Sequence, residues 1–389
     1  MSDEPEIHGS CAPGFEAVRD AFEEGFRSRD EIGAATAVQV DGETVVDLWG
    51  GHADVAKTRP WQENTLVNVY STTKGITAFC AHRLIDEGKL DLDERVATYW
   101  PEFAAAGKGA VPVRDLLSHR VGLPAVREPL PPEALYDWDA MVTALAAEEP
   151  WWTPGTQHGY HALTFGWLVG ELVRRVSGKS LGSYFRETFA EPLGLDFHVG
   201  LAEAEHARAA EMTPIATPGE GEADAEAIEM GKAMLTEPEG MTARAFMNPP
   251  SMAAGVNIPE WRSAEIPGAN GHGTARSLAA LYGAAARNDG RVLSPEGIER
   301  ARTEQSHGKD AVLFLSTRFG LGFMLSQDKV AASFGPSPGA FGHPGAGGSV
   351  GFADTERRVG FGYVMNRMGP RILLDDRALA LIDAVYASL

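Results

Sequence analysis

The sequence of 389 residues contains only two cysteines and no long apolar run. Cys11 and Cys80 lack the spacing of a metal site, and we expect no disulfide between them. No apolar stretch approaches the roughly 20 residues that a membrane-spanning helix needs. The first six residues are acidic and lack the apolar core of a signal peptide. These absences predict a cytoplasmic protein without a membrane partner.

Positive charge is also scarce. The 34 Lys and Arg residues stand against 54 Asp and Glu residues, which gives a net charge of −20, and no basic cluster interrupts the acidity. Because nucleic acids and anionic membrane surfaces attract basic patches, neither is predicted as a partner. Phosphate-binding and dinucleotide-binding glycine motifs are missing too. The composition leaves a soluble globular enzyme, of a size that allows two or three domains, and sets no oligomeric state.

Histidine is present eleven times, and His158 and His161 have a spacing that metal ligands can use. The His-Glu-x-x-His pattern is missing, however, and no carboxylate accompanies the pair at ligand spacing. We therefore interpret these histidines as isolated polar residues and predict no metal site.

Strand patterns lie near both ends of the chain. Residues 34–40 and 44–49 are strand-like runs that flank Asp41-Gly42, a dipeptide typical of a tight hairpin. Apolar or alternating runs predict further strands at Phe319–Leu325, Gly348–Ala353 and Val359–Asn366. Because the strands neighbour one another in sequence and do not alternate with helices, the pattern favours an α+β fold.

Helix patterns fill the middle, from Ser71 to about Leu193, and another helix is predicted at Ala275–Arg287. Residues 217–240, rich in Glu, Ala and Gly, are predicted to form a loop or an insertion. We therefore expect an antiparallel sheet, built from the N- and C-terminal segments and flanked by helices, with an inserted all-helical subdomain. The predicted division is a sheet domain at 1–70 and 260–389, a helical domain at 71–259, and a catalytic cleft between them.

The segment Ser71–Lys74 places a hydroxyl and an amine three residues apart, directly after the strand-like run Leu66–Tyr70. Because residues i and i+3 face the same side of a helix, Lys74 is able to take the Ser71 proton. Serine beside a desolvated lysine is a recognised nucleophile–base pair. Apolar residues follow at helical spacing: Ile76, Phe79, Cys80 and Leu84. Ser71 is thus predicted at the start of a buried helix, where unpaired N–H groups favour a developing anion.

The same Ser-x-x-Lys spacing recurs at Ser306–Lys309 and Ser326–Lys329. Ser306 lies in a polar stretch without an apolar helical pattern after it. Ser326 leads into charged residues, as an exposed turn would. Only Ser71 is therefore predicted to be a nucleophile.

A lysine with its usual pKa of about 10.4 is protonated at pH 7 and is no base. Lowering that pKa by about three units costs roughly 4 kcal/mol, which burial or a neighbouring cation can impose. A third group normally carries the proton to the leaving group, and Tyr160 is the candidate because Pro154 and Gly159 place it on a loop before an apolar helix. The alternative is a tyrosine that merely packs at a helix start.

The glycine-rich segment Gly342–Ser349 leads into a predicted strand. Its small residues would let a substrate carbonyl approach the backbone closely. The N–H of Ala346 could then pair with the N–H of Ser71 as an oxyanion hole, in which each donor is worth about 2.7–4 kcal/mol in the transition state. The alternative is an ordinary turn between strands.

The same segment contains a formal Gly-x-Ser-x-Gly centred on Ser349. That motif marks a nucleophile only where a helix follows the serine. A strand is predicted after Ser349, so we do not assign it as the nucleophile.

Three of these segments together resemble the class C β-lactamases and penicillin-recognising serine hydrolases, most closely the family VIII carboxylesterases. Ser71–Lys74 matches the first motif of that family, Tyr160-His161-Ala162 resembles its Tyr-x-Asn motif, and His343-Pro344-Gly345 resembles its Lys-Thr-Gly motif. The resemblance extends from about Gly14 to Leu389. It implies a β-lactamase/transpeptidase-like fold, with Ser71 as nucleophile, Lys74 as base and Tyr160 as proton relay. It also implies that His343 and Gly345 line the substrate site, and that no metal or organic cofactor is used.

Two departures from the family motifs bear on the substrate. Ala162 replaces an asparagine that binds the amide side chain of β-lactams, and His343 replaces a lysine that helps to hold the substrate carboxylate. Both changes favour neutral, short-chain carboxylic esters as small-molecule substrates, cleaved through an acyl-Ser71 intermediate. The alternatives are a β-lactam or amide hydrolase, an acyltransferase, and a catalytically inactive binding relative.

Overall fold

Strands from the two ends of the chain meet in one sheet of the computed structural model, which describes residues 5–214, 225–250, 255–327 and 333–389. In chain order the strands are β1 (Ile7–Cys11), β2 (Gly33–Val40), β3 (Glu43–Gly51), β4 (Val67–Asn68), β5 (Phe197–His198), β6 (His272–Gly273), β7 (Ser306–Lys309), β8 (Ser316–Phe319), β9 (Met324–Leu325), β10 (Phe341–Pro344), β11 (Val350–Asp354) and β12 (Val359–Met365). Nine of them form an antiparallel sheet in the order β1-β3-β2-β12-β11-β10-β9-β8-β7. Because β2 pairs directly with β12, the predicted α+β class and the sheet built from both termini are confirmed.

Helices flank this sheet and occupy the middle of the chain. They are α1 (Glu16–Ser28), α2 (Thr73–Asp86), α3 (Val96–Tyr99), α4 (Val113–Leu117), α5 (Trp138–Ala147), α6 (Thr164–Ser177), α7 (Leu181–Phe185), α8 (Glu191–Leu193), α9 (Ala225–Thr236), α10 (Met241–Met247), α11 (Pro259–Ser263), α12 (Ala275–Arg287), α13 (Pro295–Arg302) and α14 (Asp376–Ala387). Helix α12 packs against β2, β11 and β12, and α1 packs against α14. The division into domains at 1–70 with 260–389 and at 71–259 stays a prediction.

Glycine and turn geometry explain two of these features, the hairpin between β2 and β3 and the close packing of α12 on β12. Asp41 and Gly42, between β2 and β3, have φ values of 50° and 88°, as the central pair of a type I′ hairpin turn requires. In β12, Gly360 and Gly362 allow α12 to lie close to the sheet. A Cβ atom at Gly360 would collide with the backbone of Gly283, and one at Gly362 with that of α12.

Helix α2 is the buried helix predicted to follow Ser71. Most of its residues are buried, and it packs against α6, α7, α13 and β10. A helix that is covered on all sides lies in the interior of the protein. A small antiparallel sheet in the order β4-β6-β5 leads the chain into it. The sequence thus places Lys74, which belongs to the first turn of α2, in the protein core.

Three predicted segments differ in the structure. The run Leu66–Tyr70 forms a strand only at Val67–Asn68, because the chain turns at Tyr70. Phe319–Leu325 is divided between β8 and β9, since Gly322 has a φ of 86° and reverses the chain. For residues 217–240 a loop or an insertion was predicted, and the loop alternative was wrong for 225–236, which form α9 because their alanine- and glutamate-rich sequence favours a helix. Residues 217–224 lie outside the described residues.

The edge strand β1 was not predicted, and it pairs with β3 through a glycine- and serine-containing sequence that has little strand preference. Both cysteines are free, as expected. In the described parts of the chain, no helix combines the length and apolar character that crossing a bilayer requires.

Candidate active site

Ser71 lies in a sharp turn between β4 and α2. The preceding residue, Tyr70, has a φ of 45°, which is uncommon for a residue with a side chain and re-aims the backbone at this point. The carbonyl oxygen of Ser71 accepts a hydrogen bond from the N–H of Lys74 at 2.9 Å, and so begins the first helical turn. The Ser71 side chain is therefore fixed at the start of α2 while remaining partly accessible.

Lys74 is fully buried, and its Nζ atom has three oxygen neighbours. Nζ lies 3.0 Å from Ser71 Oγ and 2.7 Å from each of the carbonyl oxygens of Ala162 and Gly268. Burial lowers the pKa of Lys74 well below its ordinary value. Within the described ranges no carboxylate forms an ion pair with it. In its neutral form the amine has two N–H groups and one lone pair, and two carbonyls that accept those hydrogens would leave the lone pair facing the Ser71 hydroxyl.

Tyr160 completes the group around Ser71. Its ring centroid lies 4.7 Å from Lys74 Nζ, and its ring stacks on Phe319 with an interplanar angle of 13°. Burial raises the pKa of Tyr160 well above its ordinary value, and a hydrogen bond with the Ser71 hydroxyl opposes that rise. The phenol is therefore protonated at neutral pH and can pass a proton on by donating and accepting at the same oxygen.

Asp310 holds Tyr160 in place and was not predicted. Its Oδ1 atom accepts hydrogen bonds at 2.9 Å from the backbone N–H groups of Tyr160, Val312 and Leu313. The other carboxylate oxygen accepts from the Thr317 hydroxyl at 3.1 Å. Asp310 lies 150 residues from Tyr160 in sequence and belongs to no motif, so no local signal could have identified it.

The segment Gly345–Ser349 forms a turn against Val69 and Thr72, which lie on either side of Ser71 in the sequence. The N–H of Gly348 donates to the carbonyl oxygen of Gly345 at 3.1 Å, and Gly347 has a φ of 85°, the pattern of a type II turn with Ala346 at its second position. A Cβ atom at Gly345 would collide with the carbonyl oxygen of Val69. Among the described residues, neither Ala346 nor Ser71 has an acceptor for its backbone N–H.

Ser349 has a structural contact in place of an accessible hydroxyl. It is fully buried, its Oγ donates to the carbonyl oxygen of Val69 at 2.8 Å, and the same atom lies 3.2 Å from Thr72 Oγ1. Strand β11 begins at the next residue, as predicted. Ser349 thus ties the Gly345–Ser349 turn to the segment that carries Ser71.

His343 lies on β10, with its ring centroid 5.9 Å from that of Tyr160. Its Nδ1 atom is 2.7 Å from the carbonyl oxygen of Pro344, and because a carbonyl only accepts, Nδ1 must carry the proton. Burial lowers the pKa of His343 to about 3, so the ring is neutral at pH 7. Its Nε2 atom is buried without a partner among the described residues and remains a free acceptor.

The other histidines named above contact different groups. His161 Nδ1 lies 2.7 Å from the carbonyl oxygen of Gly159, and its Nε2 accepts from the N–H of Leu123 at 3.0 Å. His158 Nε2 lies 3.0 Å from the hydroxyl of Thr317. Both rings therefore hold the polypeptide around Tyr160 and do not converge on one point.

The two other Ser-x-x-Lys segments have different geometry. Ser306 and Lys309 lie on β7, where residues three apart point to opposite faces, and Lys309 Nζ lies 3.2 Å from a carboxylate oxygen of Glu229. Ser326 was expected in an exposed turn, and this was wrong, because it is 6% exposed and follows β9 in the interior. Its lysine partner, Lys329, lies outside the described residues.

Comparison with known proteins identifies this arrangement. The family model described as beta-lactamase matches residues 18–384. The chain belongs to the beta-lactamase family. It is 38% identical over 381 residues to "Esterase/beta-lactamase LipL" of Mycobacterium tuberculosis, which covers 96% of this chain and 86% of that protein. This relative and the family match make the chain an enzyme of the beta-lactamase/esterase group of serine hydrolases.

Solved structures of this family agree closely with the fold. A penicillin-binding protein homologue from Caulobacter crescentus has 42% identity and a TM-score of 0.89, covering 99% of this chain and 100% of that one. A family VIII carboxylesterase has 43% identity and a TM-score of 0.87, with the same coverage. The resemblance predicted from the three motifs is confirmed.

Proposed function

We propose that this member of the beta-lactamase family is a carboxylesterase that hydrolyses short-chain esters through an acyl intermediate on Ser71. The observation that carries the proposal is the environment of Lys74. Two backbone carbonyls accept the hydrogens of a desolvated amine, and the remaining position at Nζ faces Ser71 Oγ at 3.0 Å. An amine held in this way acts as a base at neutral pH.

In the acylation step, Ser71 Oγ attacks the ester carbonyl carbon while its proton moves to Lys74 Nζ. The carbonyl oxygen becomes an oxyanion, which the N–H groups of Ser71 and Ala346 stabilise. Collapse of this intermediate breaks the bond to the alcohol oxygen. The proton on Lys74 passes through the Tyr160 hydroxyl to that oxygen, and the alcohol leaves. The product is an ester between the acyl group and Ser71.

In the deacylation step, a water molecule attacks the acyl carbon and gives a proton to the Lys74 and Tyr160 pair. A second oxyanion forms in the same place. When it collapses, the bond to Ser71 Oγ breaks, the proton returns to that oxygen, and the carboxylic acid leaves. The protein ends the cycle unchanged, so no cofactor is required in this scheme.

Two residues, Ala162 in the Tyr160–Ala162 segment and His343 in the His343–Gly345 segment, favour a neutral ester over a β-lactam as substrate. His343 is uncharged at pH 7 because burial lowers its pKa to about 3, so it offers no positive charge to a substrate carboxylate. Its free Nε2 atom is an acceptor, whereas a carboxylate needs a donor. Ala162 has no amide side chain to bind the acylamino group of a β-lactam. We assign His343 and Gly345 to the wall of the substrate site.

A second candidate, β-lactam hydrolysis, has one observation in its favour. The relative that covers 96% of this chain is named as both an esterase and a beta-lactamase. The same nucleophile and base would serve both reactions. We therefore expect β-lactam cleavage as a slow side reaction.

A substrate panel on the purified protein tests the proposal. The panel contains p-nitrophenyl acetate, butyrate and octanoate, a chromogenic cephalosporin and a D-alanyl peptide. We expect the acetate and butyrate esters to be cleaved at least about 100-fold more efficiently, in kcat/KM, than the cephalosporin. A cephalosporin cleaved faster than both esters would overturn the ester assignment.

Mass spectrometry identifies the nucleophile. A fluorophosphonate probe should label the peptide containing Ser71 and should not label the Ser71→Ala variant. Ser349→Ala is the matched control, because it removes the serine of the other motif and should leave labelling intact. Labelling that survives in Ser71→Ala and disappears in Ser349→Ala would contradict the assignment.

A further inference from the structure

The geometry points to Arg377 as a positioning residue: together with Asp375 and Glu31, it fixes the Gly345–Ser349 turn that presents the Ala346 N–H to the reacting carbonyl. This inference rests on the proposed function, because it concerns the oxyanion that forms on Ser71. It adds residues from α14 and from the segment before β2, none of which belongs to the three motifs.

Arg377 reaches the turn through a carbonyl oxygen. Its Nη2 atom donates to the carbonyl oxygen of Gly347 at 2.8 Å, and the N–H of Gly369 donates to the same oxygen at 2.9 Å. Gly347 is the residue after Ala346. Two donors from outside the turn therefore fix the peptide unit that joins Gly347 to Gly348, which is two peptide units after the one that carries the Ala346 N–H.

All five N–H groups of the Arg377 guanidinium have an acceptor. Nη1 donates to Glu31 Oε1 at 3.0 Å and to the carbonyl oxygen of Arg367 at 2.9 Å. Nε donates to Asp375 Oδ2 at 2.8 Å, and Nη2 contacts the same carboxylate as well as Gly347. The side chains of Arg377, Glu31 and Asp375 are at most 5% exposed. The guanidinium therefore has one orientation, and neither lysine nor methionine can reproduce its contacts.

The turn requires such support because its own residues are small. Gly347 and Gly348 have φ values of 85° and 120°, which only glycine adopts without strain, and glycine gives the unsupported backbone many alternative conformations. Asp375 also closes the space beside the turn, since a Cβ atom at Gly348 would lie 2.7 Å from Asp375 Oδ2. An oxyanion donor lowers the barrier only if it is already in place when charge develops. The buried guanidinium and its carboxylates supply that fixed geometry.

Stability alone does not explain a cluster of this kind. A buried group of charges is often replaced by apolar residues without loss of stability, because removing the charges from water is costly. Here the cluster contacts the backbone of the turn through Arg377 and the hydroxyl of Tyr363 on β12 through Glu31. A role in positioning Ala346 accounts for why the charges face the turn.

The test compares Arg377→Met and Asp375→Asn with a remote control, Arg300→Met. Arg300 pairs with the half-buried end of α2 at Asp86, so the control also removes a guanidinium–carboxylate pair. The assay follows p-nitrophenyl acetate by steady-state and burst kinetics, well below the melting temperature of each variant. We expect Arg377→Met to lower kcat about 10- to 100-fold with KM within threefold, and Asp375→Asn about three- to tenfold. The acylation and deacylation rates should fall by the same factor, because both steps form the oxyanion.

The control separates positioning from stability. Arg300→Met should lower the melting temperature while kcat stays within twofold. If Arg377→Met fails to fold, Asp375→Asn provides the test. Asparagine can keep the cap of α14 through its oxygen, but its NH2 group cannot accept the two hydrogen bonds that the Arg377 guanidinium donates to Asp375 Oδ2. An unchanged kcat in folded Arg377→Met would overturn the inference. If Arg377→Met does not fold, an unchanged kcat in Asp375→Asn would overturn it. Ser71→Ala, measured alongside, should have no burst; if it keeps wild-type kcat, the proposed function fails instead.

Discussion

Two buried basic side chains, Lys74 beside Ser71 and Arg377 beside the Gly345–Ser349 turn, have opposite kinds of surroundings. Lys74 is surrounded by two carbonyls and a hydroxyl, with no carboxylate among its partners in the described parts of the chain. Arg377 contacts two carboxylates, Glu31 and Asp375, as well as two carbonyls. Burial without a counter-ion lowers the pKa of Lys74, whereas the carboxylates keep Arg377 charged.

The difference corresponds to two functions, proton transfer by Lys74 and positioning of the turn by Arg377. A base must exchange a proton, so its charged form has to be disfavoured, and an environment of neutral dipoles achieves this. A positioning residue must not move or change charge, so it needs fixed partners of opposite charge. The residue types agree with this division, since lysine shifts its pKa readily on burial and arginine stays protonated in proteins.

The largest expected effect on activity comes from replacing Lys74 with arginine, which stays positively charged. Lys74→Arg removes the lone pair that faces Ser71, so we expect kcat for p-nitrophenyl acetate to fall about 100- to 10,000-fold, the range for loss of a general base. Steady-state kinetics measure the change.

Lys108→Arg is the matched control for that variant. Lys108 is also fully buried and donates to two backbone carbonyls, those of Ala105 and Glu148, but neither belongs to the site. We expect Lys108→Arg to lower stability and to leave kcat within threefold. If Lys74→Arg kept kcat within tenfold of the wild type, the assignment of Lys74 as base would be wrong.

The next effect concerns the neutral phenol beside Lys74. Tyr160→Phe should lower the rate most for esters whose alcohol must be protonated before it leaves. We therefore expect about a 100-fold or larger loss of kcat/KM for ethyl acetate. For p-nitrophenyl acetate we expect about a tenfold loss, because p-nitrophenol leaves as an anion. A pH-stat assay follows the alkyl ester.

Tyr282→Phe serves as the control for this prediction. Tyr282 is likewise buried, and its hydroxyl has no partner among the described residues, so its removal should change neither rate by more than twofold. Equal losses for both esters in Tyr160→Phe would contradict a proton-relay role.

The pH dependence of activity tests the uncharged state of Lys74 directly. Its folded pKa lies well below the ordinary value because the amine is buried, so the free amine should dominate at a lower pH than it does for an exposed lysine. We expect kcat/KM for p-nitrophenyl acetate to rise with pH, by about tenfold per pH unit below that pKa, and to level off well before pH 10. A profile that still rises steeply through pH 10 would indicate a normally charged lysine.

The last expected effect is on stability, at the Arg377 cluster. Burial raises the pKa of Glu31 to about 7, and Asp375 adds to the rise, while Arg377 and the Tyr363 hydroxyl oppose it. Because the folded pKa exceeds the unfolded value, Glu31 stabilises the protein fully below about pH 4.5, and this contribution is lost as the pH rises towards 7.

Glu31→Gln has no such titration. The free energy of unfolding of the wild type, measured relative to this variant by urea denaturation, should therefore decrease by up to about 3 kcal/mol between pH 4.5 and pH 7.5. A difference that stays constant across this range would show that Glu31 does not titrate there. Glu304→Gln, which removes an exposed carboxylate paired with Arg318, is the surface control measured alongside.

The nucleophile and its base could be predicted from the sequence because one helical turn joins them. The spacing of Ser71 and Lys74 and the apolar residues after them were sufficient to predict a buried helix, and α2 begins at Thr73 as that pattern requires. The hairpin at Asp41-Gly42 and the helix Ala275–Arg287 were predicted for the same reason, since turn chemistry and helical periodicity act over a few residues.

Other parts of the site had no local signal. The carbonyl oxygens of Ala162 and Gly268 belong to the backbone, which the residue type does not reveal, yet they hold the amine of Lys74. Asp310 and Arg377 act on Tyr160 and Gly347 from distant segments. The exposed position expected for Ser326 was wrong for a related reason, because charged neighbours in sequence do not determine which residues the rest of the chain covers.

The sequence by itself determined the elements that short-range rules control: the type of each periodic segment, the hairpin turn, and a serine and a lysine on one face of a helix. Only the tertiary structure decided the chemistry of the buried groups. The charge of Lys74 or His343 depends on burial and on partners that arrive from distant segments. Electrostatic free energy depends on distances in space, and spacing along the chain does not encode them.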